Sequence, residues 1–523
     1  MIKQCVRCQQ RFVLDQMDLD FYKQMAVPPP TWCPQCRLIR RLSFYNMRSL
    51  YQDQCDLCGK SMLSMYSSDK PYTVYCNTCW WSDQWEAMTY GTDYDFSKPF
   101  FTQFKQLMQR VPLMALCSDT PTLENSDYCM NVGHLKNCYL VFHSDYVEDS
   151  YYCDNITKSK DCFDCNMVDE SELCYWSSNI KKCYRTFYSI DCNDSSDIYF
   201  SRNLVGCTNC FGSANLHNQN YYWFNQPLDK DTYLAKLASV DFTSNTEIHR
   251  LKTEASNNWL QYPVKYMHGK KNDSVSGDYV DNSRHTYQAY QVSQAENCKY
   301  IMLSGLNPIR DSYDYLSWGN NVERAYECVG VGENVYNVKF SIMSWPDCRN
   351  LEYALLAINS ADIFGCVGVR KKQYCILNKQ YSASAYHDLV KKIKQHMIDM
   401  PYVDTKGLRY TYGEFFPLDL SMYTYNETLA QAYFPLTETK TTQCTHPFKI
   451  IAQELAFYQK MRLPQPHLCP NCRLAERFKF QNPMTLWHRQ CMNKGCKNEF
   501  ETTYASDRKE LVYCEDCYQR IVA

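Results

Sequence analysis

The chain contains no run of about 18 apolar residues, so the sequence predicts no membrane-spanning helix. Its opening, MIKQCVRCQQRF, has no apolar h-region, which predicts no secretory signal. Its net charge is only −2, so no global basic excess announces a polyanion partner. There is no Ser/His/Asp order, no phosphate-cradling glycine loop and no H-E-x-x-H, which leaves the corresponding chemistries without carriers. Disorder is excluded too, because 45% of the residues are hydrophobic. At 523 residues the chain can build several domains with sizeable cores.

What the chain has in abundance is cysteine, 31 in all. In a long chain without an export signal, C-x-x-C spacing favours zinc and reduced thiols over disulfides. The expected location is therefore cytoplasmic.

The two ends are copies of each other. FYKQMAVPPPTWCPQCRLIRRLSFYN (Phe21 to Asn46) returns as FYQKMRLPQPHLCPNCRLAERFKFQN (Phe457 to Asn482), identical at 13 of 26 positions and offset by 436. YSSDKPYTVYCNTC (Tyr66 to Cys79) returns as YASDRKELVYCEDC (Tyr504 to Cys517). A duplicated cysteine framework of this kind points to metal. Cys5, Cys8, Cys33 and Cys36 form one set of two knuckles. Cys55, Cys58, Cys76 and Cys79 form a second. Four thiolates suit tetrahedral zinc and leave no coordination place for a catalytic water, so the expected role is structural. At the back, Cys491, Cys496, Cys514 and Cys517 repeat the second set, and Cys444, Cys469 and Cys472 repeat most of the first. Thr441 stands where Cys5 would be, so a histidine must complete that site. His446 is favoured, because both ligands of a knuckle belong on one short turn, and His467 is the rival. The expectation is four Zn²⁺ per chain.

Each first knuckle runs into basic residues: Arg37, Arg40, Arg41 and Arg48 at the front, Arg473, Arg477 and Lys479 at the back. The spacing predicts a helix leaving the knuckle, as in a treble clef. Such a helix can meet phosphates, with Trp32, Phe44 or Tyr45 near enough to stack on bases. The competing reading is a solvated helix face that packs through Leu38 and Leu42.

Between the zinc modules, pieces such as NCYLVF, KDCFDC, ELCYW and KKCYRTF recur every 9 to 15 positions, with Cys138, Cys162, Cys183 and Cys207 two pieces apart. Short β-rich pieces with Asn/Asp/Ser corners predict a parallel β-helix, with about 22 residues per coil and right-handed, whose inward ladder is filled by small cysteines. The Cys162/Cys165 and Cys207/Cys210 pairs fit that ladder. The pattern resumes from Glu296, and each run closes on an Asn followed eight residues later by a Tyr (Asn225 and Tyr233, Asn378 and Tyr386). A helix there would cap the open coil. The fold class is thus mainly β with α: a central β-helix in two blocks between duplicated zinc-ribbon or treble-clef modules. The expected divisions are a double zinc module (1–96), a linking helix (97–116, N-capped by Ser97), block one (117–228), a helical cap and polar connector (229–295), block two (296–381), a capping helix and wrapping segment that docks the second module (382–440), and the second double module (441–523).

These motifs, with YGEFFPLDLS and YNETLAQAYFPL added, resemble those of an uncharacterised family of zinc-ribbon proteins encoded by small-genome candidate-phyla bacteria. The resemblance implies zinc binding and the bacterial cytosol, and brings no activity with it. The functional expectation is a zinc-stapled scaffold that binds nucleic acid, RNA or a ribonucleoprotein, through the basic modules. The alternatives are a β-helix enzyme acting on carbohydrate through Asp161, Asp164, Asp169, Asp191, Asp194 or Asp197, or an assembly subunit that stacks through β-helix ends as a homo-oligomer. Acidic residues also suit coil corners, which is the plainer reading of those aspartates.

Overall fold

The computed structural model describes residues 1–304, 308–316, 319, 320, 322–344, 346–436 and 447–522. The middle of the chain is a parallel β-solenoid of about 20 turns in two blocks. One coil of block one takes 12 residues, not 22: Asp154 pairs with Asn166, Asn166 with Ser178 and Ser178 with Ile190; in block two coils of 13 also occur, as where Tyr336 pairs with Arg349. Each of the short recurring pieces is therefore a complete turn. The physical reason lies in the backbone. At every third position from Asn131 to Phe200 the residue is left-handed, with φ between 47° and 58°. Two extended residues and one left-handed corner make a side, and four such sides close a coil. Asn and Asp tolerate this conformation best, which is why they crowd the corners.

Coils this tight leave a narrow interior. Small side chains fill it, and the buried set includes Cys138, Cys153, Cys162, Cys165, Cys174, Cys183, Cys207 and Cys210 with Val132, Ile156, Val168 and Ile180. The thiols point inward and bond the backbone, as Cys153 Sγ does to Tyr151 O at 3.3 Å. Serine does the same work in the same lumen. Ser189, Ser201 and Ser213 each direct Oγ at the carbonyl two residues back, and each accepts the amide of the residue 12 further on, at 3.0–3.1 Å. Asn225 and Asn378 end the ladders. Asn378 takes the Val367 amide on Oδ1 and gives Nδ2 to the Val367 carbonyl, both at 2.8 Å, so its side chain stands in for the next coil. Helices Lys230–Ala238 and Ala383–Asp399 follow, with Tyr233 and Tyr386 buried as expected.

Outside, each block carries one column of alternating charge. Glu124, Lys136, Glu148 and Lys160 pair in turn in block one, as do Asp273 with Arg284 and Glu296 with Arg310 in block two. Opposite charges on neighbouring coils favour one register over a slip.

The chain divides into two compact units, and their composition crosses the order of the sequence. Unit one is Met1–Leu116 with Met267–Leu436 and Met484–Leu486; unit two is Cys117–Tyr266 with residues 447–483 and 487–522. The first cysteine module therefore belongs with block two, and the second with block one. Three expected boundaries shift. Block two begins early, since the polar connector holds strands Asp273–Asp281 and Arg284–Ser293. The wrapping segment belongs to the first cysteine module: Leu429 donates its amide to Tyr45 O at 3.0 Å and Met47 to Glu427 O at 2.9 Å. The linking helix is Phe100–Arg110 with Pro99, not Ser97, at its N-cap.

Candidate metal centres

Three sets of four cysteines each bring their sulfurs within 4.8 Å of one another: Cys5, Cys8, Cys33 and Cys36; Cys55, Cys58, Cys76 and Cys79; and Cys491, Cys496, Cys514 and Cys517. Each set is built the same way. An antiparallel hairpin supplies one pair, Ile2–Gln4 with Arg11–Val13, Tyr51–Gln54 with Ser61–Ser64, or Trp487–Gln490 with Glu499–Thr502. The bend between the strands requires a left-handed residue, met by Gly59 (φ 70°) and by its copy Gly495 (φ 84°). A helix start supplies the other pair. Cys33 is the N-cap of Pro34–Leu42 and Cys76 of Asn77–Trp81, while Cys514 stands just ahead of Glu515–Val522.

The sets can hold a metal ion. Cys8 and Cys33 sulfurs lie 3.7 Å apart, and Cys496 and Cys514 sulfurs 3.9 Å. Four sulfurs at about 2.3 Å from a tetrahedral zinc would stand about 3.8 Å from each other. Backbone amides support the charge this requires: Cys76 donates to Cys55 Sγ at 3.2 Å, and Cys514 to Cys491 Sγ at 3.3 Å. A hydrogen bond with Cys36 pulls the Cys33 thiol down to about 5. Of the remaining expected site, Cys469 is the N-cap of helix Pro470–Phe478 and Cys472 sits in its first turn, the places held by Cys33 and Cys36. Cys444 and His446 lie outside the described residues, and His467 is exposed.

The knuckle helices are where expectation and structure part. Arg37, Arg40 and Arg41 are fully buried, and Arg473 and Arg477 are 1% exposed. Arg37 and Arg41 grip the two oxygens of Asp314, at 2.9 and 2.6 Å. Arg473 and Arg477 grip those of Asp164, at 2.5 and 2.7 Å. Arg40 takes Glu327 at 2.7 Å and Glu414 at 3.1 Å. Burial opposes the charge on Arg37, and Asp314, Tyr22, Tyr326 and Glu327 together outweigh it, holding that guanidinium well above its ordinary pKa. These five side chains do not meet phosphate, because the face expected in solvent is the face that docks on the solenoid. Trp32, Phe44 and Tyr45 are buried as well, and cannot stack on bases. Of the other two expected contacts, Arg48 is half-buried and Lys479 bonds Glu476 at 2.5 Å.

The duplication covers the docking surface in detail. Phe21 stacks on Tyr313 at 3.8 Å and its copy Phe457 on Phe163 at 3.5 Å. Arg41 donates to Tyr300 O and its copy Arg477 to Tyr152 O. The signal for these clamps was present in the sequence, as an aspartate following an aromatic in FDC and YDY, but nothing there named the partner. The candidate catalytic aspartates have other places in the fold. Asp164 is a clamp, Asp161, Asp191, Asp194 and Asp197 occupy left-handed corners, and Asp169 pairs with Lys181 at 2.9 Å. All described cysteines are free of disulfides. No described helix is long and apolar enough to cross a membrane. Comparison with models of known protein families finds no match, and comparison with curated proteins finds no similar sequence.

Proposed function

We propose that the chain is a zinc-stapled scaffold, with four Zn²⁺ per molecule, whose task is to present a rigid solenoid surface to a macromolecular partner. The observation that supports this most is the pair of buried clamps. They commit the zinc modules to holding the solenoid, so the metal is a staple rather than a reactive centre. The ions complete folds too small to stand on apolar burial alone. The fourth ion needs Cys469, Cys472 and Cys444, with His446 favoured over His467 as the last ligand.

The nucleic-acid reading keeps its place as an outcome of the test, since its principal residues are engaged inside the protein. Two measurements decide. Elemental analysis of protein purified without added metal is expected to give four zinc ions per chain. Zero or two would refute the staples, and iron would redirect them. Binding to polyuridylate and to duplex DNA at low salt is expected to be absent. Retention that falls steeply with added salt, as counterion release requires, would restore nucleic acid as the partner on another face.

A further inference from the structure

Two units built on one clamp show by their differences what the docking does not require. In unit two the copy of helix Gln16–Gln24 has Ile451 at its N-cap, and Tyr151 precedes the clamp tyrosine Tyr152. In unit one the same two places hold Asp15 and Lys299. A third group is common to both units. Asp18 accepts the Tyr300 hydroxyl at 3.3 Å, and its copy Glu454 accepts that of Tyr152 at 2.6 Å. Docking therefore uses the third group and does without the other two.

The three groups of unit one converge at the start of helix Gln16–Gln24. Lys299 Nζ lies 2.6 Å from Asp15 Oδ2 and 3.1 Å from Asp18 Oδ1. Asp15 Oδ1 accepts the Asp18 amide at 2.9 Å, and Asp18 Oδ2 accepts the Asp15 amide at 3.0 Å. The Lys299 and Asp18 side chains are 6% and 1% exposed, and the Asp15 carboxyl is 56% exposed. The Tyr287 and Tyr300 ring centres lie 5.8 and 6.0 Å from Nζ. Burial holds the Asp18 carboxyl above the usual carboxylate range, with Lys299 opposing it. An ion pair needs only the amine and one carboxylate. Here a nucleophile, a carboxyl carbon, a buried proton acceptor and a backbone donor on the carboxyl oxygen stand together, and that is the set an acyl transfer uses.

We propose that Lys299 and Asp15 join as a side-chain amide, a covalent brace between the first cysteine module and block two, with Asp18 carrying the protons. The Lys299 ammonium passes a proton to Asp18, and the free amine attacks Asp15 Cγ. Oδ1 takes the negative charge, held by the Asp18 N–H at the positive end of the helix. The Nζ–Cγ bond forms and the Cγ–Oδ2 bond breaks. Of the three ammonium protons, one stays on the amide and two leave with Oδ2 as water. An ammonium and a carboxylate thus become a neutral amide and one water, with no other reactant and no change of oxidation state. The open side of Asp15 lets the water out.

Mass spectrometry of the full chain, kept folded at neutral pH for several days and then denatured and reduced, tests this. The intact chain is expected to be one water lighter than its sequence. Trypsin does not cut after an acylated lysine, so residues 12–23 are expected to appear joined to residues 285–310, with the cut after Lys299 missing. Lys299→Arg keeps the cation and the ion pair but has no amine, and is expected to return to the full mass. Asp18→Asn keeps the acceptor for the Asp15 amide but cannot hold the proton, and is expected to leave most chains unlinked. Three results would overturn the assignment. The wild-type chain could keep its full mass and release the two peptides separately. The water loss could persist in Lys299→Arg, which would place it in a succinimide at an aspartate. The link could form as completely in Asp18→Asn as in the wild type, which would remove Asp18 from the step.

Discussion

Removing the Asp164 carboxylate should cost more than any surface change of the same size. The buried cluster holds two cations, Arg473 and Arg477, and two carboxylates, Asp164 and Glu454, with Glu454 Oε1 3.2 Å from Arg473. Asp164→Ala leaves one uncompensated positive charge at a site closed to water. Breaking one side of a buried pair typically costs about 3–5 kcal/mol, against a total stability of about 5–15 kcal/mol for a domain. Arg477 bears most of this, because among the described residues it keeps no carboxylate, only the Tyr152 carbonyl at 3.1 Å and the Trp176 ring at 5.5 Å. Replacing both partners should cost less than replacing one. Asp164→Leu combined with Arg477→Met removes one charge of each sign and leaves Arg473 paired with Glu454, and such swaps are often near neutral. Urea unfolding followed by circular dichroism, on protein with its metal retained, measures both. A cost below about 1 kcal/mol for Asp164→Ala would refute the clamp. So would a double variant less stable than the single one. Asp314→Ala should behave alike, because it removes the carboxylate that pairs with Arg41 and the nearer of the two that pair with Arg37.

The ladder thiols should be inert. Burial pushes Cys138 and Cys298 up to about 12, so thiolate is scarce at neutral pH. Iodoacetamide should label neither until denaturant is added, and rapid native labelling would contradict the interior. At the third metal site, His446→Ala should remove one zinc and His467→Ala none. Elemental analysis showing the reverse would hand the ligand to His467.

The metal frame was legible because thiolate chemistry imposes spacing, and spacing survives in one dimension. Cys55-x2-Cys58 and Cys76-x2-Cys79 could be grouped from the sequence, and the same four converge in space. The solenoid was legible as a class but not in its period. Cysteines repeat cleanly only every second coil, because Ser150 occupies the inward place between Cys138 and Cys162. Serine and cysteine do the same job in the lumen, so a count of cysteines alone doubles the coil. The left-handed corners gave partial warning through Asn and Asp, but Leu140, Tyr152 and Trp176 take the same conformation and carry no such mark. The arginines misled for a different reason. A cation in a helix is read as solvated by default, since burial is costly. The carboxylate that repays it lies 277 residues away in Asp314 and could not be assigned without the fold.

That separation has a consequence for how the molecule can be divided. In sequence the order is module, block, block, module, yet each unit joins a module to the block that is not its neighbour. A cut after Tyr266 falls between the blocks, where a sequence reading would place a domain boundary. Residues 1–266 then hold Arg37, Arg40 and Arg41 without Asp314, Glu327 and Glu414, and hold Asp164 without Arg473 and Arg477. Each fragment carries buried charges, such as Arg41 and Asp314, whose ion-pair partner is on the other, and each exposes stacked aromatics such as Phe21 or Phe163. Long-range pairing of this kind also makes folding slow. Expressed separately, both fragments should aggregate or melt without a cooperative transition. Expressed together, they should form a one-to-one complex that survives gel filtration and keeps its zinc. A fragment 1–266 that is monomeric and unfolds cooperatively on its own would show that the modules do not depend on the distant blocks, and the clamps would lose their structural role.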